Sequence, residues 1–162
     1  ELEGGRKVAF ADLKVGDRVL AAKPDGTLTY SPIFRFGDRT AGRKAFNRFT
    51  LESGDFVDIT NSHYVFANAC CGLDSAVKSQ SVVVGDTLYV RVKDSVVGKK
   101  VVAVTTVVRD GAVNPHTVVG TIVANNVVAT HFTAETTWAT KALAPWWYAA
   151  IHTYNTLFGA TA

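Results

Sequence analysis

The chain has 162 residues, 48% of them hydrophobic and 19% charged, with a net charge of +3. That length suits one domain, or one domain with an appendage, and the balance of apolar and charged residues belongs to a folded chain, not a disordered one. No Lys/Arg stripe interleaves with aromatics, which argues against nucleic acid as a partner, and no apolar stretch reaches the ~20 residues of a bilayer-spanning helix.

The chain opens abruptly on Glu1-Leu2-Glu3-Gly4-Gly5, as a processed product or a trimmed chain would. Short runs rich in Val, Thr, Ile, Phe and Tyr follow. They cover Arg18 to Ala22, Thr27 to Phe36, Phe46 to Leu51, Phe56 to Thr60, Val82 to Val92 and Lys100 to Val108. Turn residues separate them: Pro24-Asp25-Gly26, Ser53-Gly54-Asp55, Asp110-Gly111 and Asn125-Asn126. Many short strands with frequent turns predict an all-β sandwich or barrel-like body. Asn125-Asn126 lies between two Val-rich runs and predicts a tight hairpin, because Asn tolerates the positive φ that such turns require. The two cysteines, Cys70 and Cys71, are neighbours. Neighbouring cysteines pair only through a strained ring, so no disulfide framework is expected and no redox compartment is read from them.

The chain also repeats itself. VGDRVLAAKPDGTLTYSPIF begins at Val15 and VGDTLYVRVKDSVVGKKVVA at Val84, a gapless offset of 69 residues. Ser62-His63-Tyr64 corresponds to Thr130-His131-Phe132 at an offset of 68. Two similar halves predict a pseudo-symmetric β body with equivalent loops meeting near its axis, which would bring His63 and His131 close together.

The last stretch differs. Pro145 suits the start of a helix, and Trp147, Ile151, Tyr154 and Phe158 then recur on one helical face. The face either packs on the β body or meets lipid or a flat apolar substrate, since Trp and Tyr suit a half-wet boundary.

Few residues carry a chemical signal. Thr60-Asn61-Ser62-His63 sits at a strand junction, where a hydroxyl and an imidazole three residues apart can surround one backbone group. Asp38 ends a long predicted strand and reads as a solvated turn residue or as an ion pair with Arg39. His116 follows Asn114-Pro115 and reads as a turn residue; His152 falls on the polar face of the last helix. His63, Cys70 and Cys71 lack ordinary zinc-ligand spacing, nothing near the cysteines marks a protease nucleophile, and phosphate-binding glycine signatures are absent.

Taken together, several stretches resemble the C-terminal autoprocessing (Hog) domain of hedgehog proteins, part of the wider Hint group that includes inteins. They are Leu2-Glu3-Gly4-Gly5, LKVGDRVLA from Leu13, YSPIFRFGDR from Tyr30, ITNSHYVFA from Ile59, VVVGDTLYV from Val82 and GTIVANNVVATHFT from Gly120. LAPWWYAAIHTYNTL, from Leu143, resembles the opening of the sterol-recognition region of those proteins. The resemblance implies an all-β, Hint-type fold duplicated about a pseudo-two-fold axis over residues 1–133. A sterol-recognition-like region with a short amphipathic helix would begin over 134–162.

The activity implied is self-cleavage. A cysteine at the start of the domain, absent from this sequence and expected shortly before Glu1, attacks the preceding carbonyl and forms a thioester. A sterol or other lipid alcohol then takes over the upstream fragment. Thr60 and His63 fall on the family's T-x-x-H positions, which polarise the scissile peptide and protonate the leaving amine. Asp38 falls on the carboxylate that activates the hydroxyl. His131 stands where many animal hedgehogs carry a cysteine, and reads as a second polar partner or a packed residue. Trp147, Ile151, Tyr154 and Phe158 would bind the acceptor and make peripheral membrane contact. The resemblance further implies a monomer, no cofactor and no metal, and a route through the endoplasmic reticulum to secretion. Resolution of the thioester by water or intein-like chemistry, or a non-catalytic module that binds lipid or protein, are the alternatives.

Overall fold

A computed structural model describes residues 1–133. The described chain is all-β apart from three short 3₁₀ turns. Its strands are β1 (Arg18–Ala22), β2 (Leu28–Leu51), β3 (Phe56–Ile59), β4 (His63–Phe66), β5 (Ala76–Lys78), β6 (Thr87–Val92), β7 (Ser95–Thr117), β8 (Thr121–Ala124) and β9 (Val127–Thr133). They pair in the order β1-β2-β7-β6-β9-β4-β5, with β3 added to β2 and β8 to β9.

The sequence repeat has a structural counterpart in matching hydrogen bonds. The 3₁₀ turns Phe10–Asp12 and Ser79–Ser81 precede the two Val-Gly-Asp segments. Gly16 and Gly85 hold φ of 94° and 96°, a region closed to most side chains. Their N–H groups donate to Ile33 O and Val101 O at 2.8 and 2.9 Å. Asp17 and Asp86 each accept from the backbone N–H three residues earlier, at 2.9 Å from Lys14 N and Val83 N. The same local chemistry thus launches β1 and β6, and each runs into a long strand.

Those long strands, β2 with 24 residues and β7 with 23, pair antiparallel and join the two halves. Here the structure departs from the sequence reading. Thr27 to Phe36 and Phe46 to Leu51 were expected as separate strands, but they are one strand crossing Gly37 and Gly42. Asp110-Gly111, expected as a turn, lies inside β7, where Gly42 (φ 87°) and Gly111 (φ 78°) flank a register shift between Thr40 and Arg43. A Cβ on Gly111 would come within 2.8 Å of Thr40 O. These glycines make bulges in a continuous ladder instead of reversing the chain. The run expected from Val82 begins only at Thr87, because the Val-Gly-Asp turn occupies its start.

Asn125 and Asn126 join β8 to β9 with φ of 47° and 66°, the positive pair that a two-residue hairpin requires. Phe49, Leu51, Val57, Ile59, Val65, Leu88, Val90, Val101 and Val127 form the largest core cluster, each contributing roughly 1.5–3 kcal/mol when fully buried. Leu20, Ala22, Phe66, Val123 and Val128 form a second cluster, and Leu13, Val19, Ile33 and Ile122 a third. Cys70 and Cys71 are bonded to each other, a link between chain neighbours that ties no distant segments together.

Candidate active site

The turn between β3 and β4 holds Thr60 and His63. The His63 N–H donates to Thr60 O at 3.0 Å, closing the turn. The same carbonyl accepts from Ser79 Oγ at 2.9 Å. Ser79 is fully buried and accepts in turn from Asn47 Nδ2 of β2 at 3.2 Å. Neither Ser79 nor Asn47 stands out in the sequence, because a hydroxyl and an amide 32 residues apart carry no spacing signal.

His63 Nε2 lies 2.8 Å from Thr130 O. A carbonyl only accepts, so Nε2 carries the proton and, in the neutral ring, Nδ1 keeps a free lone pair. Burial pushes the His63 pKa below its ordinary value and the bond to Thr130 O partly opposes this; a neutral ring is the resting state at neutral pH.

Asp38 is exposed on β2, opposite Asn114 of β7. Its neighbour Arg39 is engaged elsewhere: the guanidinium donates to Leu13 O at 2.6 Å and lies over the Phe36 ring. Asp38, Thr60 and His63 all line one cleft of about 1330 Å³, whose apolar wall includes Phe46, Ile59 and Ile122. Asp58 lines the same cleft, and the Arg48 guanidinium bonded to both its oxygens holds its carboxyl below the usual range, with Arg109 adding to the effect.

His116 is the residue that sequence reasoning misplaced. It lies near the end of strand β7, not in a turn, and is 7% exposed. Asn-Pro preceding it is an ordinary turn signal, which β7 overrides by pairing Pro115 with Phe36. The His116 ring stacks on His131 with centroids 4.4 Å apart and an interplanar angle of 4°. Burial first, then the Arg35 and His63 charges, lower its pKa to about 4. His131 is buried behind it and accepts the Thr117 N–H through Nδ1 at 3.1 Å. Burial also drives the His131 pKa well down, with His116 and His63 adding to the shift. His63 and His131 therefore do lie close, on the paired strands β4 and β9, but His116 and not His131 lines the cleft.

Among the described residues no three His, Cys, Asp or Glu side chains cluster so as to hold a metal ion. Trp147, Ile151, Tyr154, Phe158 and His152, with the helix expected to carry them, lie outside the described residues.

The duplicated β body and a strand-junction T-x-x-H facing a cleft have a counterpart among known families, since the Hint module model matches residues 1–161. The chain belongs to the Hint family. This Hint domain is similar to Warthog protein 1 of Caenorhabditis elegans, with 28% identity over 123 residues, covering 75% of the chain and 25% of that protein. It is 32% identical over 151 residues to the Sonic hedgehog protein of Xenopus laevis, covering 88% of the chain and 34% of the relative. It thus spans about a third or less of these relatives' length. In fold it is similar to a DnaB intein from Synechocystis, with a TM-score of 0.68, 16% identity, and coverage of 80% of this chain and 90% of that one. Its Hint module match and its hedgehog relatives make it a Hint domain of the hedgehog type.

Proposed function

We propose that this domain cleaves its own precursor once and passes the upstream fragment to a sterol or similar lipid alcohol. In the first step, the sulfur of a cysteine placed ahead of Glu1 attacks the preceding carbonyl carbon. The C–N bond breaks, the amine nitrogen takes a proton, and a thioester remains. His63 serves this step through Nδ1, the nitrogen not engaged by Thr130 O, which takes the proton of the attacking thiol and passes it to the leaving amine. Thr60 stands across the same turn and polarises the peptide.

In the second step the alcohol oxygen bonds to the thioester carbonyl carbon. The C–S bond breaks, and the hydroxyl proton passes to Asp38 while the thiolate departs. The apolar wall of the cleft suits a flat lipid alcohol, because a pocket of this kind binds by excluding water around a few placed polar groups. The aromatic face of Trp147, Ile151, Tyr154 and Phe158 is the proposed partner for the rest of that lipid and for a membrane surface. The hedgehog relatives support a secretory route.

The observation that carries the reading is the convergence of Thr60, His63 and Asp38 on one cleft, with His63 anchored through Nε2. The test is to incubate a cysteine-bearing precursor with and without sterol and weigh the released fragment. A fragment heavier by one sterol supports transfer. A bare fragment points to hydrolysis, and an uncleaved precursor with its cysteine intact points to a non-catalytic binding module.

A further inference from the structure

Asp38 reaches the cleft through an irregularity in β2. Phe36 pairs with Pro115 and Asp38 with Asn114, so two residues on β2 advance against one on β7 and Gly37 is the extra residue of a β-bulge. Because side chains alternate along a strand, an inserted residue decides which face the next side chain takes. The bulge therefore decides where the Asp38 carboxylate points.

Why the bulge holds a glycine is a separate question. Gly37 is not at positive φ, so backbone conformation does not demand it. Crowding does. A Cβ at Gly37 would overlap His116 Nε2 and lie 2.9 and 3.0 Å from its Cδ2 and Cε1. The ring has little room to retreat. It is stacked flat on His131, meets Phe34 edge-on at 6.1 Å, and has Asn114 Nδ2 3.3 Å from Nε2. That same Asn114 amide donates to His131 O at 3.0 Å, and Asn114 is the residue opposite Asp38. His116 is thus a wall fixed from behind, with the bulge backbone resting on it.

We propose that His116 is a positioning residue for the transfer step: its ring seats the Gly37 bulge and so aims Asp38 at the hydroxyl of the acyl acceptor. The inference rests on the reading in which Asp38 takes that hydroxyl's proton as the oxygen bonds to the thioester carbon and the C–S bond breaks. Gly37 and His116 are then a matched pair, and a side chain at one position is tolerated only if the other yields space.

The test compares Gly37→Ala, His116→Ala and the double variant in the full cysteine-bearing precursor. Two readouts are taken: cleavage induced by a small thiol, which reports the thioester, and sterol-dependent release across a range of sterol concentrations. Gly37→Ala is expected to keep thiol-induced cleavage within about twofold while the maximal sterol-dependent rate falls about tenfold or more at unchanged KM. His116→Ala, which unseats the bulge, should lower the same rate by a smaller factor. The double variant should exceed Gly37→Ala, because the methyl group fits the space the ring vacates. A merely structural role would lower both readouts together. Sterol transfer unchanged in Gly37→Ala, parallel loss of both readouts, or a double variant no faster than Gly37→Ala would each overturn the inference. Failure of the underlying reading shows separately, as an unmutated precursor that cleaves but never carries sterol.

Discussion

His63 Nε2 sits 2.8 Å from the carbonyl oxygen of Thr130, so a residue of the first half is held by the backbone of the second. This contact spans the pseudo-symmetric halves and fixes both the ring's orientation and its tautomer. It leaves Nδ1 for chemistry.

The two carboxylate- and imidazole-dependent steps separate by mutation. His63→Ala should lower the rate of thiol-induced cleavage by about 10²–10⁴-fold, the range typical for loss of a general acid or base. Asp38→Ala should slow sterol-dependent release by a comparable factor while thiol-induced cleavage persists. Equal loss of thiol-induced cleavage in both variants would show that the roles are not divided this way.

Ser79 supports the same turn from behind. Ser79→Ala removes the donor to Thr60 O and leaves Asn47 Nδ2 without its acceptor. It should destabilise the domain by about 1–3 kcal/mol and slow the first step more than the second. Urea unfolding together with the two cleavage readouts measures both effects; a variant as stable and as fast as the parent would contradict the proposed clamp.

The buried histidines make stability depend on pH. The His116 pKa falls from 6.5 to about 4 on folding, so between those values the unfolded chain binds the proton that the folded chain refuses. Stability is at its full value above pH 6.5, declines by about 3 kcal/mol as pH falls from 6.5 to 4, at about 1.4 kcal/mol per unit, and levels off below that. His131 shifts in the same direction and deepens the decline. His116→Gln should flatten the slope of unfolding free energy across that window; a slope identical to the parent's would mean that His116 does not titrate as placed.

The Asn125-Asn126 hairpin is sensitive to side-chain shape. Asn125→Val puts a β-branched residue at φ 47° and should cost about 1–2 kcal/mol. Asn125→Gly should stay within about 0.5 kcal/mol of the parent, since glycine enters that region freely. Thermal unfolding of both variants decides; equal losses would imply that the turn relaxes to another geometry.

The local pattern foretold a good deal. The turn residues and Val-rich runs are consistent with an all-β body, the Val-Gly-Asp repeat with two launching turns of matching hydrogen bonds, and Asn125-Asn126 with a tight hairpin. The Thr60 to His63 spacing places both residues on one junction because a four-residue turn is closed by its own backbone. The long strands were harder to see. Asp110-Gly111 reads as a turn because a glycine marks either a chain reversal or a bulge, and only pairing with the opposite strand distinguishes the two.

What the sequence determined by itself was everything governed by neighbours along the chain: strand content, the duplicated turns, and which residues carry ionisable or hydroxyl groups. Only the tertiary structure decided which of those groups meet. Asp38, His63 and His116 share a cleft because β2 and β7 pair across some 80 residues of intervening chain and β4 lies beside β9. Such long-range pairing depends on register and burial, for which no local spacing carries a signature. His116 changed most between the two views: its neighbours along the chain describe a turn, and its neighbours in space make it the wall against which Gly37 rests.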